Sequence, residues 1–331
     1  MSYSLKPFVL EERIAEFVRS VLGVTDVDVV ERIQSLWGEQ GQILRLRTNS
    51  NSHPTCVLKH ICLNSQAHHP RGWNTSVSFQ RKVTSYEVER CWYERYADDC
   101  DVACKVPQLL GTKTQNGDSL ILLEDLSDAY PVRCGHLAVD KVKVCLEWLA
   151  HFHARFLGNA GQGLWPEGCY WHLSTRADEY AALPEGPVKQ AAKLLDAKLA
   201  GAHFQTLVHG DAKVANFCFS PTLDSVAGVD FQYVGKGCGI KDVVYFLGSC
   251  LTEAECAENE SALLDVYFKA LNYALGDKLP MQEIQQLESE WRSLYGIAWT
   301  DFYRFLLGWM PTHQKINSYT VSLCERTLSD L

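Results

Sequence analysis

The sequence contains no Cys-x-x-Cys pair, no uninterrupted apolar run long enough to span a bilayer, no internal repeat and no low-complexity tract. Its thirteen cysteines are scattered and odd in number, so a disulfide framework is not expected. They read instead as reduced thiols packed as small apolar residues. The opening "MSYSLKPFVLEERIAEF" lacks the basic-then-apolar build of a signal peptide, and the expectation is a cytoplasmic protein with no membrane span. Positive charge is also short. The net charge of −9 argues against a general nucleic-acid binder, while a local basic site for a small phosphorylated ligand stays open.

What is present is an ordinary globular composition, 47% apolar and 21% charged, over 331 residues, long enough for two lobes. Residues 8–22 carry apolar positions at helical spacing. "VDVVERI", "QILRLRT" and "TCVLKHI" read as strands, with "GEQGQ" as the turn before the second. "NSQAHHPRGWNTS" reads as a loop, "SYEVERCWYERYA" as a helix and "SLILLEDL" as a strand with an acidic end. Beyond that, helices are expected over 140–158, 187–201, 241–252, 258–275 and 282–309, interrupted by short strands in 205–233. The expected fold class is α+β. A strand-rich amino lobe (1–126) precedes a mainly helical carboxyl lobe (127–331), joined near 124–130.

The stretch "TLVHGDAKVANFCFS", residues 206–220, reads as strand-turn-strand. Gly210 permits a sharp turn that projects Asp211 from a strand end beside His209. Asn216 follows five residues later, and Asp230 lies near the end of a further apolar run, "VAGVDF". If those last two strands pair antiparallel, Asn216 and Asp230 can share one cleft with Asp211 adjacent. Two carboxylates and an amide oxygen are hard ligands of the kind Mg2+ takes. Asp-x-x-x-x-Asn followed by Asp-Phe is also the kinase spacing, in which the first Asp accepts the hydroxyl proton and the other two hold metal. Lys213 could neutralise charge on a transferring phosphoryl group. Each residue alone fits a β-hairpin with turn-forming Asp and Asn; the ordered set of five is what points to chemistry.

The amino-terminal part offers a matching pair. Lys59 sits in an apolar strand, where an unpaired ammonium is costly, so it needs a phosphate or carboxylate partner. Over 82–96, Glu89 shares a helical face with Trp92, Tyr93 and Tyr96, whereas Glu87 falls with Arg90, Cys91 and Glu94. Glu89 is therefore the expected partner.

"VLKH", "SYEVERCWY", "LLEDL", "LAHFHA", "LVHGDAKVANF" and "VDFQ" followed by "KDVVYFL" occur in one order over roughly residues 35–252. In this the chain resembles the aminoglycoside phosphotransferase and choline kinase superfamily, most of all its ecdysteroid-kinase-like branch, small-molecule kinases with a protein-kinase-like bilobal fold. The resemblance implies ATP and Mg2+ as cofactors and a small-molecule hydroxyl acceptor. It implies Asp211 as catalytic base with His209 and Lys213 beside it, Asn216 and Asp230 as metal ligands, and Lys59 on the α- and β-phosphates, held by Glu89. The backbone around Leu123, Glu124, Asp125 and Leu126 becomes the adenine-binding hinge, and Asp242 a structural carboxylate. Departures exist. "SLWGEQGQ" has only Gly38 and Gly41 for a glycine-rich loop, a pair that equally suits a plain turn. The metal segment reads Asp-Phe-Gln, so switch-like mobility is not expected, and Lys213 stands where many such kinases carry another residue.

Other signals read as packing. His153 fits a hydrogen-bonded core histidine, and His68 and His69 lack partner cysteines for zinc. "GKGCG" (235–239) reads as a flexible loop in which Lys236 could meet phosphate. Trp291, Tyr295, Trp299, Phe302, Tyr303 and Trp309 fit core positions of late helices, with 168–180 and 301–309 as candidate walls of an acceptor pocket. The alternative to an enzyme is a nucleotide-binding pseudokinase acting through partners. A protein kinase is disfavoured, because the gap from "DFQ" to Lys241 is too short for an activation loop.

Overall fold

The structure, a computed structural model, describes residues 10–36, 40–62, 76–115 and 117–331. Gly38 and nearly all of the 64–76 loop, with His68 and His69, lie outside them. The chain divides into two compact units, Met1–Asp98 with Pro107–Asp128, and Asp99–Val106 with Ala129–Leu331.

The first unit is a five-stranded antiparallel sheet with two helices. β1 (Val27–Ser35), β2 (Gly41–Thr48), β3 (Thr55–Cys62), β4 (Leu109–Gln115) and β5 (Asp118–Glu124) take the order β1-β2-β3-β5-β4. The edge strand β4 was not expected, since Gly111 and the polar run "TKTQ" hide its periodicity. Strand alternation sorts side chains by face. Leu44 and Leu46 of β2, Cys56 and Leu58 of β3, and Leu120 and Leu122 of β5 share one face. They form a core with Ile14, Phe17 and Val18 of α1 (Glu12–Leu22), which ends at left-handed Gly23. Lys59, one residue out of step with Leu58, falls on the other face, where it meets α2 (Ser76–Arg95). Gly41 opens β2 with φ 132°, and a Cβ there would stand 2.1 Å from the His60 carbonyl oxygen. The approach of β3 is by itself sufficient reason for glycine at this position.

The second unit is helical around two short antiparallel ladders. Its helices are α3 (Val139–Arg155), α4 (Ala177–Ala182), α5 (Pro187–Ala200), α6 (Ile240–Cys250), α7 (Glu253–Leu275), α8 (Met281–Ser293), α9 (Tyr295–Trp309) and α10 (Ser318–Ser329). The single helix expected over 282–309 is two, broken at Leu294. Both i→i−4 bonds there persist (Leu294 to Glu290, Ala298 to Leu294) and the apolar rhythm runs through, so nothing in the sequence marks the break. The capping boxes Thr252/Glu255 and Asn317/Thr320 start α7 and α10.

The strands are β6 (Thr206–Val208), β7 (Phe217–Phe219), β8 (Val226–Gly228) and β9 (Gly235–Gly237). β7 pairs antiparallel with β8, as expected. β6 pairs with β9 instead of with β7, so residues 206–220 join two different ladders and do not form one hairpin. "GKG" of the supposed loop is that partner strand, a composition with little β propensity. Beneath the ladders Trp148, Phe152 and Phe156 of α3 and its C-cap pack with Phe217 and Phe231, with Trp148 to Phe217 centroids 5.3 Å apart. Each such ring contributes roughly 1.5–3 kcal/mol by burial. Among the described residues no helix is long and apolar enough to cross a membrane.

Replacing Gly41 by Ala is expected to cost roughly 1–3 kcal/mol through positive-φ strain and collision with β3, read as a lower urea midpoint. An unchanged midpoint would mean the β2–β3 start is not as close as described.

Candidate active site

In the first unit the Lys59 Nζ lies 2.6 Å from Glu89 Oε2, and both side chains are buried. Glu87 is exposed. The pairing follows from the two periodicities, since β3 turns Lys59 away from the α1 face while α2 buries Glu89 with Trp92, Tyr93 and Tyr96. At the end of β5, Leu123 and Glu124 remain in the ladder opposite Val57 and Cys56. The Glu124 N–H donates to the Gln108 carbonyl, and its carboxylate accepts from the Gln108 N–H. Asp125 accepts from Arg45 Nε at 2.8 Å and from the Ser127 N–H at 3.0 Å. Burial alone would raise the Asp125 pKa, but Ser127 and Arg45 outweigh it and hold the carboxyl below its usual range. Both acidic side chains are thus committed to shaping the chain as it leaves the sheet towards Leu126.

In the second unit the turn after β6 hangs on one carboxylate. Asp242 of α6 is fully buried; its Oδ2 accepts the His209 N–H at 2.6 Å and its Oδ1 the Gly210 N–H at 2.9 Å. His153 of α3 reaches the same Oδ2 through Nε2 at 3.1 Å and binds the Tyr267 hydroxyl of α7 through Nδ1 at 2.7 Å. Three helices therefore converge on the turn. Gly210 has φ 78°, and a Cβ would lie 2.0 Å from the Tyr233 carbonyl oxygen, so only glycine makes the bend.

The bend presents Asp211, whose Oδ2 accepts from Lys213 Nζ at 2.9 Å and from Asn216 Nδ2 at 3.0 Å. Asn216 Nδ2 also donates to the Asp211 carbonyl, which leaves its amide oxygen as the group open to a cation. The Val229 N–H donates to the Asn216 carbonyl, so the β7–β8 ladder carries Asn216 beside the segment with Asp230. Asp230 adopts φ 71°, a left-handed conformation that costs free energy and collects at functional sites. Burial works against the charge on Lys213, but Asp211 and Asp230 outweigh it and keep its pKa above the usual lysine value.

His209, expected beside the base, is held by two hydrogen bonds. Its Nε2–H donates to the Val229 carbonyl at 3.0 Å, its Nδ1 accepts the Asp211 N–H at 3.3 Å, and it is fully buried against Phe231. With both nitrogens occupied it ties the turn to the segment that leads to Asp230. Lys236 is exposed on β9. The expected walls, 168–180 and 301–309, pack on each other through Trp171 and Phe302 (5.0 Å) and Tyr170 and Phe305 (5.3 Å).

Two residues near Asp211 escaped sequence reasoning. Tyr245 lies one turn after Asp242; burial, with Tyr170 and Asp211 adding to it, pushes its phenol well above the usual range. Lys315, between α9 and α10, lies close enough to Asp211 for their charges to interact. The helical spacing from Asp242 was a usable signal for the first; none existed for the second.

The family model DUF1679, described as "Uncharacterized oxidoreductase dhs-27", matches residues 178–308, less than half of the chain. No curated protein matches in sequence. Among solved structures, a microcompartment-associated aminopropanol kinase is 18% identical with TM-score 0.53, covering 97% of this chain and 98% of its own. An aminoglycoside phosphotransferase from Streptomyces rimosus, in complex with ADP and streptomycin, is 14% identical (90% and 98% covered, TM-score 0.45). An ethanolamine kinase from Plasmodium vivax is 12% identical (94% and 85% covered, TM-score 0.47). Likeness to the aminopropanol kinase shows that the chain shares its fold.

Asp242→Ala would strand two backbone N–H groups and a histidine nitrogen in the core. A loss of about 3–5 kcal/mol is expected in urea denaturation; a loss under about 1 kcal/mol would show that the turn does not depend on this carboxylate.

Proposed function

We propose that the protein is an ATP- and Mg2+-dependent phosphotransferase acting on a hydroxyl of a small organic molecule. The observation that carries this reading is Asp211 held at a strained turn, with Lys213 and Asn216 on its carboxylate and Asp230 close by. Asp211 accepts the acceptor's hydroxyl proton as its oxygen bonds to the γ-phosphorus. The bond to the β–γ bridging oxygen breaks, and ADP leaves with that electron pair. Lys213 offsets negative charge on the transferring group. Asn216 and Asp230, hard oxygen donors, fit Mg2+, which when bound would neutralise phosphate charge. Lys59 serves the α- and β-phosphates, and Glu89 keeps it extended. His209 and Asp242 hold the turn, and the backbone at 123–126 serves as the adenine hinge, with Gly41 at the start of β2 as a further nucleotide contact. Thirteen free thiols support a reducing, cytoplasmic setting.

Asp211→Asn is expected to lower turnover about 10^2–10^4-fold, scored as phosphorylated product by mass spectrometry, while MgATP affinity is retained. Chelating Mg2+ should stop transfer in the native protein. Turnover equal to wild type in the Asn variant would refute the assignment, and nucleotide binding with no phosphorylated product would favour the pseudokinase reading.

A further inference from the structure

Lys315 is the cation whose surroundings the reaction outlined above does not explain. Its backbone is pinned, with its N–H donating to His313 Nδ1 at 3.1 Å and its carbonyl accepting the Thr320 hydroxyl at 2.8 Å. The ammonium lies 4.6 Å from the centroid of Tyr245 and 5.3 Å from that of Phe302. Among the described residues no carboxylate comes within ion-pair distance of it. Burial pulls its pKa down to about 8; Asp211 opposes that fall and Lys213 adds to it. An ammonium kept half out of water without a counter-ion is costly unless a ligand supplies the charge.

The residue also lines a cavity of about 420 Å3 wholly within the second unit, together with Ser249, Thr252, Gln314, Asn317 and Tyr319. That volume suits a small organic ligand. Ser249 connects the cavity to the catalytic turn, because its hydroxyl accepts the Val214 N–H, one residue beyond Lys213. The lining is rich in hydroxyl and amide groups, which suits a polar molecule; it also includes His136 and Glu253, whose carboxylate accepts from the Ser318 N–H and hydroxyl. An acceptor carrying its own ammonium meets two obstacles. Lys315 repels it, and the Tyr245 and Phe302 faces, where a cation would rest, are already covered by Lys315.

Building on the phosphotransferase reading, we propose that Lys315 is an acceptor-binding residue and that the acceptor is a hydroxyl compound bearing an oxyanion, a carboxylate or a phosphate ester, which pairs with this ammonium. The acceptor class therefore differs in charge from amino alcohols, and the aromatic residues around the base serve to seat a lysine of the protein itself.

The test is ADP release by the full chain with MgATP over matched three-carbon hydroxyl compounds: glycerate, glycerol 3-phosphate, glycerol and 3-amino-1,2-propanediol, with larger sets matched in the same way. The carboxylate and phosphate arms separate the two oxyanion sources. The expected result is transfer to an oxyanion member, abolished in Asp211→Asn. Lys315→Met should raise the KM for that acceptor about 10- to 100-fold, more than it lowers kcat and without a comparable rise in the KM for MgATP. Lys315→Arg should recover most of the affinity, and Lys315→Glu should move preference towards the ammonium member. Transfer confined to neutral or ammonium members overturns the proposal and leaves the phosphotransferase reading standing, as does an unchanged acceptor KM in Lys315→Met. So does a rise in KM for MgATP instead of for the acceptor. If no member gives Asp211-dependent transfer, the reading fails and takes the proposal with it.

Discussion

One buried carboxylate organises the second unit. Asp242 gathers two successive backbone N–H groups and a histidine, and through them α3, α6 and α7 meet at the turn after β6. A carboxylate can occupy so dry a position only because every donor it needs is already pointed at it. The constraint works in both directions: the donors are satisfied by the acid, and the acid's place dictates where Gly210 bends and hence where Asp211 emerges. His209 extends the same logic one step further by linking the turn to the Val229 carbonyl, beside strained Asp230. The local cost of two left-handed residues is carried by a surrounding aromatic core.

Charge in the two units is arranged on different principles. Lys59 and Glu89 form a closed pair, each satisfying the other in a buried setting, so that the lysine is held straight. Around Asp211 the balance is shared among more groups. Lys213 is paired with Asp211, while Lys315 adds a further positive charge over the faces of Tyr245 and Phe302. The two lysines are set against Asp211 and Asp230, so the charges here balance locally within a protein whose net charge is −9.

What the sequence disclosed depended on whether a local rule was at work. Period-two and helical alternation separated Lys59 from the α1 face and Glu89 from Glu87. The β7–β8 pairing followed from two apolar runs around a turn. The fold class and the likeness to small-molecule kinases rested on such local signals arriving in order. The β6–β9 ladder did not, because "GKG" is a strand only by virtue of what lies next to it. The break at Leu294 interrupts no pattern. Tyr245 and Lys315 come together across seventy residues of chain by packing alone, and no spacing rule connects them.

The β6–β9 ladder also bears on how the chain beyond the Asp230 segment is held. The segment after Asp230 is stitched down at several points: the Gln232 carbonyl accepts from Trp165 Nε1, the Tyr233 carbonyl from the Cys169 N–H, and the Lys236 carbonyl from the Gly168 N–H. A segment fastened in this way is held along most of its length. The stretch that follows Asp230 is therefore held from two sides, by residues 165–169 and by β6. Moving it would mean giving up these three hydrogen bonds and the β6–β9 ladder together, so its position is tied to that of β6 and the turn β6 leads into.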